Sequence, residues 1–157
     1  MPAPSSVIDK ACACLVDVRG RLLVFDHPGD GGMQLPKGTV EPGETPQEAV
    51  RRELHEESGI RFDGPLEALG TLERHCEAGI EGNKEAHGQR WHLFLMRAAM
   101  PLPEVFTHTA CGSPEEDGLV FAFRWLAPHD GLDGFALPYR QAIARVREAL
   151  QGATRIA

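Results

Sequence analysis

GTVEPGETPQEAVRRELHEESGI, residues 38–60, is the stretch of sequence that carries the most information about the fold. Thr45 is a suitable helix N-cap, a proline follows it at the first helical position, and Glu48 completes a Thr-x-x-Glu capping box. Gly59 stands where a left-handed residue would end the helix. These signals predict a helix over residues 46–58, preceded by a turn rich in glycine and proline.

Three glutamates share one face of this predicted helix. Glu53, Glu56 and Glu57 are spaced i, i+3 and i+4, which places them within about 100° of arc. Two carboxylates about 5 Å apart repel by roughly 3 kcal/mol at an effective dielectric of about 20, and the nearby helix C-terminus adds to the cost. A solvated ion-pair face on a structural protein is one interpretation. The adjoining glycine-rich turn favours the other, an all-oxygen site for a hard divalent cation, Mg²⁺ or Mn²⁺.

The rest of the chain is predicted to form one mixed α/β domain around this helix. Two apolar runs on either side of Arg19-Gly20 predict a hairpin. Apolar residues at helical spacing predict a last helix that ends near Gly152. The order β-β-α-β-β-β-α fits a single domain over residues 1–157, without repeats or linkers. The predicted strands cover residues 11–18, 21–26, 66–75, 89–97 and 119–126.

Composition and charge exclude several classes of protein. The 157 residues include 16 Lys and Arg against 23 Asp and Glu, for a formal net charge of -7. Duplex nucleic acid and anionic membranes repel such a chain, so a phosphorylated substrate would need added cations, and a metal is the obvious source. The N-terminus shows no signal-peptide pattern, and no apolar run is long enough to span a membrane. We therefore expect a cytoplasmic protein whose four cysteines are free thiols.

The stretch over residues 38–60 resembles the Nudix box, G-x5-E-x7-R-E-U-x-E-E-x-G-U, in which U is an aliphatic residue. The residues that match every defined position are Gly38, Glu44, Arg52, Glu53, Leu54, Glu56, Glu57, Gly59 and Ile60. The resemblance implies an α/β/α sandwich with a mixed β-sheet and the activity of a MutT-like Nudix hydrolase. Such an enzyme is a pyrophosphohydrolase that cleaves a nucleoside diphosphate linked to a group X. Water activated by Mg²⁺ or Mn²⁺ would attack phosphorus, without a covalent nucleophile.

The resemblance also implies roles for the matched residues that would hold the metal. Glu53 and Glu57 would be direct ligands, and the carbonyl of Gly38 would be a further donor. Glu56 would be either a ligand or the base that acts on the attacking water. Glu56 and Glu57 are therefore the catalytic candidates within the box.

Five further residues are candidates for the site, and one of them, Glu116, is a catalytic candidate. Glu44 and Arg52 would orient the box by ion pairing. The position of the general base varies across the family, and Glu116, in an acidic turn before the last predicted strand, is a candidate unless that turn is simply solvated. Lys37 would contact a phosphate unless it is a surface lysine. Trp91 would stack on a nucleotide base unless it packs in the core.

The sequence leaves the substrate open. Leu35-Pro36-Lys37-Gly38 resembles the corresponding residues of hydrolases that act on diadenosine or inositol polyphosphates. We expect a phosphorylated small molecule, a dinucleoside polyphosphate or other nucleotide derivative, and neither duplex nucleic acid nor a membrane as partner. The alternative is a nucleotide sensor with the same fold and no turnover, but such sensors usually lose box glutamates and none is missing here. A homodimer is common in the family, although no residue here demands one.

Overall fold

The apolar runs of the sequence form a mixed β-sheet that is flanked by helices. The computed structural model describes residues 6–29, 31–79 and 85–156, with side chains through Gly152. Eight strands and two helices occur in these described residues. They are β1 (Val7–Val16), β2 (Leu22–Asp26), β3 (Met33–Gln34), β4 (Lys37–Thr39), α1 (Pro46–Ser58), β5 (Leu66–Cys76), β6 (His87–Arg97), β7 (Phe106–Thr109), β8 (Val120–Leu126) and α2 (Leu137–Ile156).

The strand β1 lies at the centre of the sheet. The strand order is β5-β6-β1-β2-β8-β7, with β3 beside β2 and β4 beside β1. The pairing of β1 with β6 is parallel and the other pairings are antiparallel. Neighbours on both sides explain why residues 11–16 are almost fully buried. The pairing with β4 sets Gly38 opposite Ala11, so the box begins in the middle of the sheet.

A helix covers each face of the sheet. Successive residues of a strand point to opposite faces, and β1 therefore contributes to two separate cores. Cys12 packs in one core with Ile143 of α2. Ala11 packs in the other core with Leu54 of α1. This arrangement confirms the α/β/α sandwich with a mixed sheet.

The helix α1 has the predicted bounds, Pro46–Ser58. Thr45 is the N-cap in an extended conformation, and its Oγ1 accepts a hydrogen bond from the backbone N–H of Glu48 at 3.1 Å. Gly59 ends the helix at φ 78° and donates its N–H to the carbonyl of His55 at 2.8 Å. The local capping signals therefore place this helix, and its glutamates, without help from the rest of the fold.

The helix α2 continues beyond the glycine at which it was predicted to end. Its bounds are Leu137–Ile156, and Gly152 lies inside it. Tyr139, Ile143 and Val146 are buried against the sheet, as their spacing predicts. Neither helix in the described part of the chain has the length and apolarity that crossing a bilayer requires.

Three short strands, β3, β4 and β7, are absent from the sequence prediction. They have two, three and four residues, too few for an alternating pattern to be visible. The predicted hairpin is also only partly right. The strands β1 and β2 pair at Val16 and Leu22 alone, and the link is longer than two residues. The carboxylate of Asp17 holds this link by accepting the backbone N–H groups of Arg19 and Arg21.

Packing of α1 on the sheet gives a first testable expectation. Leu54 is 0% exposed in the core beneath α1, so Leu54→Ala should lower the free energy of unfolding by about 2–5 kcal/mol. Leu137 is 66% exposed, and Leu137→Ala should change the free energy of unfolding by less than about 0.5 kcal/mol. Urea unfolding followed by circular dichroism measures both values. Equal losses in the two variants would contradict this packing.

Candidate active site

The three glutamates of α1 lie beside the backbone of two glycines. Glu53 and Glu57 are buried, and the side chain of Glu56 is 17% exposed. The carboxylate of Glu53 lies against Gly38 of β4, and that of Glu56 lies against Gly112 in the loop after β7. Glu57 accepts a hydrogen bond at Oε2 from the backbone N–H of Lys37, at 3.2 Å. The helix therefore directs these acids toward β4 and the 110–118 loop.

The two glycines are needed because a side chain would overlap the carboxylates. A Cβ on Gly38 would clash with the carboxylate of Glu53, and a Cβ on Gly112 would clash with that of Glu56. Gly112 also has a φ of +88°, which L residues rarely adopt, whereas no positive φ constrains Gly38. At Gly38 the absence of a side chain thus serves only to let a carboxylate approach the backbone.

Arg52 joins the loop before the helix to the glutamates on it. Its guanidinium binds Glu44 through two parallel hydrogen bonds of 2.8 and 2.9 Å. Its Nη1 donates to Glu53 Oε1 at 2.7 Å and to Glu56 Oε2 at 3.1 Å. These hydrogen bonds from Arg52 hold the pKa of Glu44 below its usual range. The pairing of Arg52 with Glu44 is the contact that the sequence analysis expected between these positions.

Burial makes the negative charges of this cluster costly. Desolvation raises the pKa of Glu57 well above its usual range, and the charges of Glu116 and Glu53 raise it further. Desolvation also raises the pKa of Glu53, although Arg52 opposes the shift. An added cation would stabilise these carboxylates in their charged form.

Glu116 is the acid of its turn that faces the cluster. Ser113 donates its hydroxyl to Glu115 at 2.9 Å and its backbone N–H to Asp117 at 3.2 Å, so both of these acids are engaged within the turn. Glu116 instead places Oε2 3.3 Å from Nε2 of the buried His27. Its charge acts on Glu57 and Glu53, so a loop far away in sequence brings a fourth carboxylate to the glutamates of α1.

Two lysines lie beside these acids. Lys37 is half-buried, and its Nζ lies 4.5 Å from the ring centroid of Trp91 and 5.7 Å from that of Tyr139. Burial, with the positive charge of Lys10 as the next cause, lowers the pKa of Lys37 to about 8. Lys10 donates its Nζ to Thr39 Oγ1 at 2.7 Å. Lys10 is a site residue that the sequence analysis did not single out, because only the pairing of β1 with β4 brings it here.

Trp91 does not have the exposed ring that stacking on a nucleotide base requires. It is fully buried, and its Nε1 donates to Gln89 Oε1 at 2.8 Å. Its ring lies 4.9 Å from that of Tyr139, and Lys37 covers another side. We therefore correct the expectation for Trp91: it is a core residue that supports Lys37.

The donor set fits a divalent cation by its chemistry. It consists of oxygens alone, the ligands that Mg²⁺ and Mn²⁺ prefer, and two of its carboxylates, those of Glu53 and Glu57, are buried and have a raised pKa. Within residues 6–29, 31–79 and 85–156, no three His, Cys, Asp or Glu side chains already stand in a metal-coordinating arrangement. Arg52 binds Glu53 and Glu56 at the same time, so a cation would compete with the guanidinium for their oxygens.

The fork of hydrogen bonds from Arg52 can be tested by a charge-conserving substitution. Arg52→Lys keeps the charge and loses the paired geometry toward Glu44, so we expect kcat/KM for a phosphoanhydride substrate to fall about 10–100-fold. Arg90→Lys is the matched control, because Arg90 is exposed and its Nε donates to Glu73 on the surface. Steady-state kinetics would measure both. A loss of the same size in the control would contradict a special role for Arg52.

Comparison with known sequences gives a family match over most of the chain. A model of the NUDIX domain matches residues 8–146. The chain is 28% identical over 148 residues to an RNA pyrophosphohydrolase of Erythrobacter litoralis, a match that covers 87% of this chain and 86% of that protein. It is 29% identical over 137 residues to an RNA pyrophosphohydrolase of Rhizobium meliloti, covering 77% of this chain and 75% of that protein.

Solved structures share the fold at low sequence identity. The Escherichia coli dihydroneopterin triphosphate pyrophosphohydrolase aligns with a TM-score of 0.67 and 19% identity, covering 92% of this chain and 97% of that chain. A MutT protein from Methanosarcina mazei aligns with a TM-score of 0.64 and 18% identity, covering 96% and 98%. At these identities the likeness concerns the fold alone.

Proposed function

This chain belongs to the NUDIX domain family, and on that premise we propose that it is a divalent-cation-dependent pyrophosphohydrolase. Its proposed substrate is a phosphorylated small molecule, a nucleotide derivative. The observation that carries the proposal is the meeting of the α1 glutamates with Glu116 beside Lys10 and Lys37. Acids that would hold a cation thus adjoin amines that would hold phosphate oxygens. Neither the acids nor the lysines are ordinary surface charges, because both sets of side chains are at least half-buried.

The cation would be held by Glu53, Glu56 and Glu57, with the Gly38 carbonyl as a further donor. A bound Mg²⁺ or Mn²⁺ would lower the pKa of water and neutralise charge that develops on the phosphates. Arg52 would keep the carboxylates aligned from the side of the loop. In this assignment the contacts of the glutamates, Gly38 and Arg52 are compatible with the roles proposed for them.

The chemical step needs one base and one electrophilic centre. The oxygen of water forms a bond to phosphorus, the bridging P–O bond breaks, and its electron pair leaves with the departing phosphate. The proton of the water passes to a carboxylate. We assign this role to Glu116, because it lies on a separate loop from the ligand glutamates and faces them, and Glu56 is the second candidate.

The lysines would bind the phosphates of the substrate. Burial lowers the pKa of Lys37 to about 8, and an approaching phosphate would raise that pKa again and stabilise the charged amine. Lys37 is also held in place by the rings of Trp91 and Tyr139, so little side-chain freedom remains to be lost on binding. Both features suit a fixed phosphate contact.

Two substrate classes compete for this site. The relatives named above are RNA pyrophosphohydrolases, which favours the phosphorylated 5′ end of RNA. A net charge of -7 and a total of 16 Lys and Arg favour a small molecule instead, because binding along a nucleic acid backbone draws on many cations. Arg21 and Arg90 are moreover paired with glutamates, Glu104 and Glu73. We therefore place the small molecule first.

A substrate panel tests both the reaction and the preference for a small molecule over the RNA 5′ end. It contains nucleoside triphosphates, dinucleoside polyphosphates, ADP-ribose, nucleotide sugars and 5′-triphosphorylated RNA. The RNA is about 2, 5 and 20 nucleotides long, a range that reveals any contribution of backbone contacts to binding. Each substrate is tested with Mg²⁺, with Mn²⁺ and with EDTA. We expect metal-dependent release of phosphate or pyrophosphate and a kcat/KM that does not rise with RNA length. A rise of tenfold or more from the shortest to the longest RNA, about 1.4 kcal/mol, would favour the RNA 5′ end.

The alternative of a nucleotide sensor makes a different prediction for the same panel. A sensor would bind a nucleotide with the cation and release no product over hours. Isothermal titration calorimetry beside the activity assay separates the two. Binding without hydrolysis on every substrate would overturn the proposed function.

A further inference from the structure

A buried histidine lies directly behind Glu116. His27 follows β2 and is 7% exposed. Its ring lies 5.1 Å from that of Phe121 and 6.3 Å from that of Phe25. The backbone closes a tight loop around it, since the N–H of Gly31 donates to the carbonyl of His27. This histidine is held by aromatic packing, with one ring edge toward an acid.

The backbone fixes which nitrogen of His27 carries the proton. The N–H of Gly29 donates to Nδ1 at 3.0 Å, so Nδ1 is an acceptor and has no hydrogen. A neutral imidazole then carries its hydrogen on Nε2. That nitrogen lies 3.3 Å from Oε2 of Glu116, so the protonated edge of the ring faces this carboxylate.

Glu116 lies among charges of both signs, because Glu53 and Glu57 repel its carboxylate and Lys10 attracts it. The charges of Glu116, Glu53 and Glu57 interact unfavourably with one another. The turn that carries Glu116 is held by Ser113 through Glu115 and Asp117, and none of these contacts fixes the Glu116 side chain. A polar contact behind the carboxylate would oppose its movement away from the glutamates of α1.

We propose that His27 is a positioning residue: its Nε2–H, fixed by the Gly29–Nδ1 contact, holds the Glu116 carboxylate where it accepts the proton of the attacking water. This inference rests on the proposed function for its catalytic part. The contact between Nε2 of His27 and the Glu116 carboxylate is independent of catalysis and is tested separately below.

The kinetic test replaces the ring in two ways. His27→Phe fills the space between Phe25 and Phe121 and cannot donate, whereas His27→Gln offers an amide N–H near the position of Nε2. We expect His27→Phe to lower kcat about 10–100-fold with KM within about threefold of the wild type, and His27→Gln to keep kcat within about threefold. The exposed His129 supplies the control, His129→Gln, which should leave both constants unchanged.

A double-mutant cycle separates positioning from general loosening of the fold. If His27 acts through Glu116, adding His27→Phe to Glu116→Gln should cause no further loss of kcat. Additive losses, or an unchanged kcat in His27→Phe, would overturn the proposal. If Glu116→Gln keeps wild-type kcat while Glu57→Gln loses it, the positioning role fails and the proposed function stands.

The tautomer can be observed even without a known substrate. In a ¹⁵N-labelled protein, NMR of the imidazole nitrogens, assigned by loss of the signals in His27→Phe, should show Nε2 protonated and Nδ1 unprotonated. Glu116→Gln should shift the Nε2 signal, and Glu148→Gln, an exposed site on α2, should not. A proton on Nδ1 would contradict the contact regardless of any activity.

Discussion

Glu57→Gln is expected to lower kcat by about two to four orders of magnitude while the protein stays folded. Glu57 is 2% exposed, and its Oε2 accepts the N–H of Lys37 from β4. An amide oxygen can still accept that hydrogen bond, so the packing around the side chain is kept. The amide lacks the negative charge that would hold a divalent cation at this position, and that cation would stabilise the charge that develops in phosphoryl transfer.

Thermal unfolding shows whether the loss has this cause. Because burial raises the pKa of Glu57, its charged form is costly in the cation-free fold, so Glu57→Gln should have the same Tm as the wild type or a higher one. Added Mn²⁺ should raise the Tm of the wild type by mass action and leave that of the variant nearly unchanged. A variant that loses activity together with a lowered Tm would point to unfolding instead.

A glutamate elsewhere on the surface controls for the loss of one negative charge. Glu148 is exposed on α2, which packs in the core on the other face of the sheet from α1, so Glu148→Gln should keep kcat and the Mn²⁺-induced rise of Tm. If Glu57→Gln behaves like Glu148→Gln in both measurements, the glutamates of α1 are a structural ion-pair face, which was the other interpretation of their spacing.

Local signals made one element of this fold predictable. The N-cap Thr45, the capping box with Glu48 and the left-handed Gly59 act within a few residues, and they set the bounds of α1 without any distant contact. The helical repeat then places Glu53 and Glu57 on one side by geometry alone. For these residues the spacing in the sequence is therefore enough to predict that they lie on the same side of the helix.

Local signals do not reveal the other half of the site, which depends on distant strand pairings, and Glu116 was a candidate there only through the family resemblance. Lys10 reaches the site because β1 pairs with β4, which is three residues long and shows no pattern of its own. Gly112 and Glu116 reach it through the loop between β7 and β8, more than fifty residues beyond α1. His27 reaches Glu116 because β2 pairs with β8. No local rule reports such contacts, since strand partners are chosen by the packing of the entire sheet.

Gly38, the glycine at the start of the box, is the second position where a substitution is expected to have a large effect on activity. Gly38→Ala places a Cβ where the carboxylate of Glu53 now lies. The carboxylate is the far end of a flexible side chain, so it would move aside and break its contact with Arg52 rather than distort β4. We expect kcat/KM to fall about 100-fold through loss of cation binding, while the free energy of unfolding changes by less than about 1 kcal/mol.

Two comparisons make that expectation specific to the approach of Glu53. Gly131→Ala is the control, because a Cβ at Gly131 meets no atom within 4 Å and no positive φ constrains that residue. It should leave kcat/KM and stability unchanged. In a Glu53→Gln background, Gly38→Ala should add little further loss, since the displaced carboxylate is already gone. Additive losses would mean that Gly38 acts through its backbone conformation instead, and the close approach of carboxylate to glycine would then have no part in binding the cation.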